Sequence, residues 1–339
     1  MSTKGEISPR YMESSMSQHK EIPVTVVTGF LGSGKTTLLN RMLQENHGKK
    51  IAVILNEIGD VNLDSELVVQ SIGEELKIMN NGCVCCTVRG DLTNICLDLI
   101  KKKIDFDHVV IETTGMADPS PVAQTFFMDE NLRKYFFLDA VVTVVDAKHI
   151  DQNLTEIKET QDQIGFADVI LLNKIDTISS ERSAEVEKKI KFINPIAKIF
   201  KTINSNVQIG EVLAINAFDL QARSELNPDI TKEYHEHSHD DSIQSIYLEE
   251  SRPLDIEKLN RFMQLVLNEL GNQVLRYKGI LYVKDEPKRI VFQGVHTTMG
   301  SNEDREWTTH EEKKTRIVFI GRHLPKEVLE EGISLCVAK

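Results

Sequence analysis

Between Pro23 and about Leu220, short and almost wholly apolar runs alternate with longer stretches in which apolar residues recur every three or four positions. The runs are "VTVVTG", "IAVILN", "HVVIET", "AVVTVVD" and "DVILLNK". A strand with one wet face alternates apolar and polar side chains, so unbroken runs predict strands buried on both faces of a parallel sheet. The stretches between them predict crossover helices. In residues 91–103, for example, Leu92, Ile95, Cys96, Leu99 and Ile100 fall on one helical face, with Asp91 placed to cap the start. The expected architecture is α/β, with helices on both faces of a mostly parallel sheet over residues 22–220.

Over residues 221–242 the apolar content drops, and "NPDITKEYHEHSHDD" predicts a polar linker. The rhythm then changes. A strand in "SIQSIYLEE" precedes a helix over about 255–270, strands near "GILYV", "RIVFQGV" and "TRIVFIG", and a final helix after Pro325. This pattern predicts a smaller α+β domain over 243–339, built as a helix-backed sheet. Residues 1–21 contain no apolar segment and predict a disordered tail rather than a signal peptide or anchor.

Composition narrows the function classes. A chain of 339 residues is long enough for two cores. No apolar run reaches the roughly 18 residues of a membrane span. The net charge of −12 argues against nucleic acid or anionic lipid as the main partner, because both select basic patches. Five cysteines, odd in number and clustered, do not make a disulfide framework and suit a reduced, cytoplasmic protein.

"GFLGSGKT", from Gly29 to Thr36, fits G-x-x-x-x-G-K-[ST] and stands between a predicted strand and a predicted helix, the context the motif requires. Gly29, Gly32, Ser33 and Gly34 would turn backbone N–H groups onto phosphates, with Thr36 and Thr37 at the positive end of the helix. Lys35 would neutralise the β- and γ-phosphate oxygens, and the Thr36 hydroxyl would ligate Mg²⁺. Later, "LLNKID" ends a buried run with Asn173, Lys174 and Asp176. A carboxylate at Asp176 can accept from the ring N–H and the exocyclic amine of guanine, whereas adenine offers neither donor at that edge. GTP is therefore expected over ATP. Between the two motifs, Glu112 closes a strand, and Gly115 could offer a backbone N–H to the γ-phosphate and release it after hydrolysis. No water-positioning glutamine or arginine finger stands out, so slow intrinsic turnover is expected.

Three of the five cysteines, Cys83, Cys85 and Cys86, fall together in "NGCVCC". Thiolates are soft donors that prefer Zn²⁺ or Co²⁺ to Mg²⁺, and three ligands leave a fourth position open for hand-over. Packing thiols or a redox pair are the alternatives at this point. Cys96 lies on the apolar face of its helix and reads as core.

"GFLGSGKTT", "ILNEIGDV", "NGCVCC", "ETTGMADP" and "NKID", in this order, resemble the CobW-type P-loop GTPases, relatives of the UreG and HypB metallochaperones. "VLRYKGILYV" and "RIVFQGV" resemble the second domain of the same family, so the likeness spans about residues 22–325 and is greatest to its YjiA-like and zinc-chaperone (ZNG-like) branches. The resemblance implies a GTPase using GTP and Mg²⁺, with a transition metal at Cys83, Cys85 and Cys86 passed to a client metalloprotein. Zinc is the expected metal and Co²⁺ the alternative. It makes "ILNEIGDV" the first switch segment, with Glu57 and Asp60 as candidate metal contacts, Asp60 standing where the family usually has Glu. A cobalamin-pathway cobalt chaperone, a zinc buffer and a metal-independent regulatory GTPase remain open, as does a homo-oligomer that depends on nucleotide or metal. In the linker, His235, His237 and His239 alternate and would share one face of an extended chain, a weak site for metal capture or a solvated stretch without one.

Overall fold

The computed structural model describes residues 21–57, 79–80, 88–102, 106–217, 243–309 and 311–339. In the first domain the strands are β1 (Ile22–Thr28), β2 (Ile51–Glu57), β3 (Met79–Asn80), β4 (His108–Glu112), β5 (Phe136–Asp146), β6 (Val169–Asn173) and β7 (Lys198–Lys201). They form one sheet in the order β3-β2-β4-β1-β5-β6-β7, and every described pairing in it is parallel. The helices are α1 (Lys35–Gln44), α2 (Val88–Lys101), α3 (Ser120–Met128), α4 (Ile150–Glu156), α5 (Lys158–Phe166) and α6 (Ser180–Ile193).

Each apolar run splits its side chains between two cores. Ala52 and Ile54 of β2, with Val109 and Ile111 of β4, pack with Leu92, Cys96, Val122 and Phe126 from α2 and α3. Val53, Leu55 and Val110 face the other way, onto Leu38, Leu39 and Met42 of α1. Two-sided burial is why the runs show no polar alternation. Helix α2 begins at Val88, so Asp91 lies inside it and does not cap its start. The residues before Asp91 extend the helix because their backbone continues the same turn, which spacing of apolar residues alone does not reveal. Cys96 is fully buried, and burial pushes its thiol up to about 12, so it is an inert packing residue.

The second domain holds β8 (Gln244–Glu250), α7 (Ile256–Leu270), β9 (Val274–Leu281), β10 (Lys288–Val295), β11 (Thr298–Glu306), β12 (Thr315–Gly321) and α8 (Lys326–Leu335). Its five strands pair antiparallel in the order β11-β10-β9-β12-β8. Asp255 caps α7 by accepting hydrogen bonds from the backbone N–H groups of Glu257 and Lys258. Ile317 and Phe319 of β12 face α7 and α8, through Leu259, Met263 and Leu329. Val318 and Ile320, alternating with them, pack with Leu275 and Ile243 against Ile164, Ile170 and Ile190 of the first domain. The second sheet is thus covered on both faces, once by its own helices and once by the first domain.

A buried polar line crosses the first sheet. The Thr25 hydroxyl donates to Asp139 at 2.9 Å and stands 2.8 Å from His108 Nε2. Asp139 accepts from the Ala214 and Asn216 N–H groups at 2.8 and 2.6 Å, which ties down the chain just before the linker region. Burial holds His108 down to about 4, so its imidazole is neutral and its Nε2–H donates to Thr25.

Candidate nucleotide site

The site lies at the C-terminal edge of the parallel sheet, where β1, β4, β5 and β6 end. This is the edge at which open α/β sheets bind ligands. The loop after β1 depends on glycine at two places. Gly29 has φ +136°, and a Cβ there would stand 2.1 Å from the Val144 carbonyl oxygen. Gly34 has φ +117°, and a Cβ would stand 2.4 Å from Asn173 Nδ2. Only glycine allows this backbone and this closeness to the neighbouring strands.

Lys35 opens α1 and is buried, with Nζ donating to Gly29 O at 2.8 Å and Phe30 O at 3.2 Å. Desolvation lowers the pKa of its ammonium, and the nearby Glu112 carboxylate opposes that shift. Thr36 is half-buried beside it, Thr37 and Gly32 are exposed, and Ser33 is fully buried. The hydroxyls of Ser33 and Thr114 are buried without a hydrogen-bond partner. Buried polar groups normally have partners, so an orphan hydroxyl in the phosphate loop and another in the loop after β4 fit a site that takes a polar ligand. The set of Thr36, Glu112 and Lys35 likewise fits a magnesium-bound triphosphate.

Glu112 ends β4 between β1 and β2, its backbone opposite Val27 and Leu55. Beyond it, Thr113 donates to the Thr28 hydroxyl at 2.8 Å, and a turn closes from Ala117 N–H to Thr114 O at 3.1 Å. Gly115 sits in that turn, where a Cβ would fall 2.6 to 2.9 Å from Leu31 of the phosphate loop. The two loops are in contact, and glycine makes the contact possible.

Asn173 joins the two ends of the site. Its Nδ2 donates to Ser33 O at 2.8 Å, while its Oδ1 accepts from Ser205 N–H at 2.8 Å and from Thr202 Oγ1 at 3.1 Å. Lys174 follows in a left-handed conformation (φ 61°) and pairs with Asp146 at 2.8 Å. Burial alone would raise the Asp146 pKa; hydrogen bonds from Lys174 and His149 hold it below its ordinary value. Asp176 lies exposed on the short turn that follows. Asp146, His149, Ser205 and Gln163 (discussed below) escaped the sequence reading. The acid closing "AVVTVVD" was a usable signal, but the turn at Thr202–Ser205 carries no pattern because consecutive left-handed residues, Asn204 and Ser205, shape it.

Glu57 closes β2 with its backbone opposite Asn80, which ends β3 on the same edge of the sheet as the phosphate loop. Asp60, Cys83, Cys85, Cys86 and the linker residues His235, His237 and His239 lie outside the described residues. Among the described residues no cluster of His, Cys, Asp or Glu could hold a metal, and no helix is long and apolar enough to cross a membrane.

Both domains resemble those of known proteins. Residues 23–201 match the family described as CobW/HypB/UreG, nucleotide-binding domain, and residues 243–337 match the cobalamin synthesis protein cobW C-terminal domain. The chain belongs to the CobW/HypB/UreG family. It is a P-loop GTPase of that family with the family's second domain attached. A zinc chaperone, YjiA, from Escherichia coli is 40% identical over 319 residues, covering 92% of this chain and 98% of that protein. A zinc chaperone CobW from Pseudomonas aeruginosa is 33% identical, covering 94% and 92%. The zinc-regulated GTPase metalloprotein activator 1 of Dictyostelium discoideum is 37% identical, covering 80% of this chain and 65% of that protein. The crystal structure of Zn(II)-bound YjiA GTPase from Escherichia coli superposes with a TM-score of 0.73 at 35% identity, over 94% of this chain and 99% of that one.

Guanine selection gives a direct test of the base end. Asp176→Asn is expected to lower the preference for GTP over ATP by ~10²-fold or more, because the base then loses a doubly accepting carboxylate. Competition of the two nucleotides for the purified variant measures it. An unchanged ratio would remove Asp176 from the base site.

Proposed function

We propose that this GTPase is a metallochaperone that binds zinc through Cys83, Cys85 and Cys86 and passes it to a client metalloprotein. One observation carries the reading. Strand β3 pairs in parallel with β2 and ends at Asn80 on the phosphate-loop edge of the sheet, and Cys83 comes three positions later in the sequence. Zinc relatives of similar length support the choice of metal.

In this reading Lys35 and the loop from Gly29 to Gly34 hold the phosphates, while Thr36, with Glu112 behind it, would hold Mg²⁺. When bound, Mg²⁺ neutralises charge on the β- and γ-phosphate oxygens. Asn173 fixes the base end to the phosphate loop, and Asp176 selects guanine. Gly115 meets the γ-phosphate through its backbone and relaxes once that phosphate leaves. Glu57 ends β2 next to β3, so a change at the nucleotide reaches the strand that leads into the cysteines. Zinc is the cargo: bound while GTP is bound, released to a ligand of the client after hydrolysis. By linkage, zinc then favours GTP as much as GTP favours zinc.

Replacing Cys83, Cys85 and Cys86 together with Ser is the test. The variant is expected to lose at least ~100-fold in zinc affinity, since hydroxyls are poor zinc ligands beside thiolates, with GDP binding unchanged. Zinc binding equal to the parent protein would place the cargo elsewhere, with the linker histidines the next residues to replace. Cobalt preferred over zinc in the same titration would instead favour a cobalt chaperone.

A further inference from the structure

We infer that Gln163 is a positioning residue of the GTPase reaction, holding the turn around Gly115 against the phosphate loop, and that its helix makes this placement depend on the second domain. The inference rests on the reading of Gly115 as the residue that meets the γ-phosphate.

Gln163 is 1% exposed, in the middle of α5. Its Nε2 donates to Ala117 O at 3.1 Å and Gly115 O at 3.4 Å, the two carbonyls on either side of Met116. Two facing carbonyls fix the amide's orientation, since its oxygen cannot serve there. Gly115 of the same turn also meets Leu31 of the phosphate loop, closer than a Cβ there would tolerate. The turn therefore touches both the phosphate loop and one buried amide. The backbone of Gln163 is fixed as well, its carbonyl accepting from the Thr143 hydroxyl at 2.7 Å.

The rest of α5 belongs to the contact between the domains. Asp162 pairs with Arg322, and the Ile243 N–H donates to Gln161 Oε1 at 3.1 Å. Gly165 packs on Leu275, Ile243 and Ile320, so near that a Cβ would stand 3.3 to 3.4 Å from them. The Phe166 carbonyl accepts from Arg276 Nη1 at 2.9 Å. His296, at the tip between β10 and β11, adds a ring contact to the same helix, its centroid 6.1 Å from that of Phe166. One short helix thus grips the second domain with most of its residues and the Gly115 turn with one. A shift of the second domain moves the donor that sets the turn.

The test is nucleotide discrimination in the full chain. Gln163→Leu keeps the volume and the helix but leaves two buried carbonyls without their donor. It is expected to weaken binding of a non-hydrolysable GTP analogue by ~10-fold or more and to lower kcat, with GDP affinity within about twofold of the parent. Arg322→Ala, at the rim and away from the nucleotide, is expected to shift the same ratio in the same direction by a smaller factor, and it serves if the Leu variant does not fold. Gly115→Ala is measured alongside. If Gly115→Ala loses the analogue selectively while Gln163→Leu and Arg322→Ala leave the ratio unchanged, the role of Gln163 is refuted and the role of Gly115 stands. If Gly115→Ala also leaves the ratio unchanged, the reading of the turn fails and the inference falls with it. Equal loss of both nucleotides in Gln163→Leu would make Gln163 a structural residue only.

Discussion

Lys35→Ala is expected to abolish measurable GTP turnover, lowering kcat/KM by at least ~10³-fold, while the protein stays folded. Lys35 is the cation inside the phosphate loop, and electrostatic stabilisation of the transferred phosphoryl group is the largest contribution such a site makes. Its surroundings explain why the fold survives the change. The ammonium is buried against the carbonyls of Gly29 and Phe30, and desolvation already disfavours its charged form. Removing a desolvated charge offsets much of what the lost hydrogen bonds cost. Turnover under saturating GTP together with thermal unfolding separates the two effects. Turnover that survives in the variant would mean that the phosphate-loop assignment is wrong.

Arg276→Ala has the largest expected effect on stability. Arg276 is 1% exposed on β9 and pairs with Asp168, whose side chain is 7% exposed in the link between α5 and β6, while donating to Phe166 O. Asp168 in turn accepts from the Val141 N–H at 2.9 Å. Removing one partner of a buried pair leaves an uncompensated charge, which costs about 3–5 kcal/mol. The contact between the domains is where that loss falls, so the first transition in denaturant unfolding is expected to move and the second domain to part from the first. A loss under about 1 kcal/mol would mean that water reaches Asp168 and the pair is not desolvated.

The sequence disclosed most of what the sheet demands. Runs such as "HVVIET" are unbroken because Val109 and Ile111 face one core and Val110 the other, a requirement of two-sided burial that single residues display. The phosphate loop was legible for a similar reason: at Gly29 and Gly34 a Cβ would fall 2.1 Å from Val144 O and 2.4 Å from Asn173 Nδ2, so the backbone there admits only glycine. Strand β11, "TMGSNEDRE", was not legible. It is an edge strand with no fully buried residue, held by its ladder with β10, by the Arg289–Asp304 pair and by Lys288 with Glu303 at 2.8 Å, so no apolar alternation marks it. Gln163 and the Thr202–Ser205 turn were hidden because their roles come from what the topology brings beside them, across 46 and 29 residues of chain respectively. Local pattern reports burial and backbone constraint; it does not report which distant carbonyl an amide will meet.

The proposed function needs a guanine nucleotide at the sheet edge to be coupled to zinc at the three cysteines that come next in the sequence after β3. One measurement addresses that coupling. The full-length protein is titrated with Zn²⁺ against a chelator of known affinity, once with Mg²⁺ and a non-hydrolysable GTP analogue and once with Mg²⁺ and GDP, and Co²⁺ is run in parallel. The account predicts at least ~10-fold tighter zinc binding with the GTP analogue, within the usual range of coupling between two sites, and loss of that difference in the Cys83/Cys85/Cys86→Ser variant. Equal zinc affinity in the two nucleotide states would contradict it, leaving the cysteines a static site and the GTPase cycle without a metal to deliver.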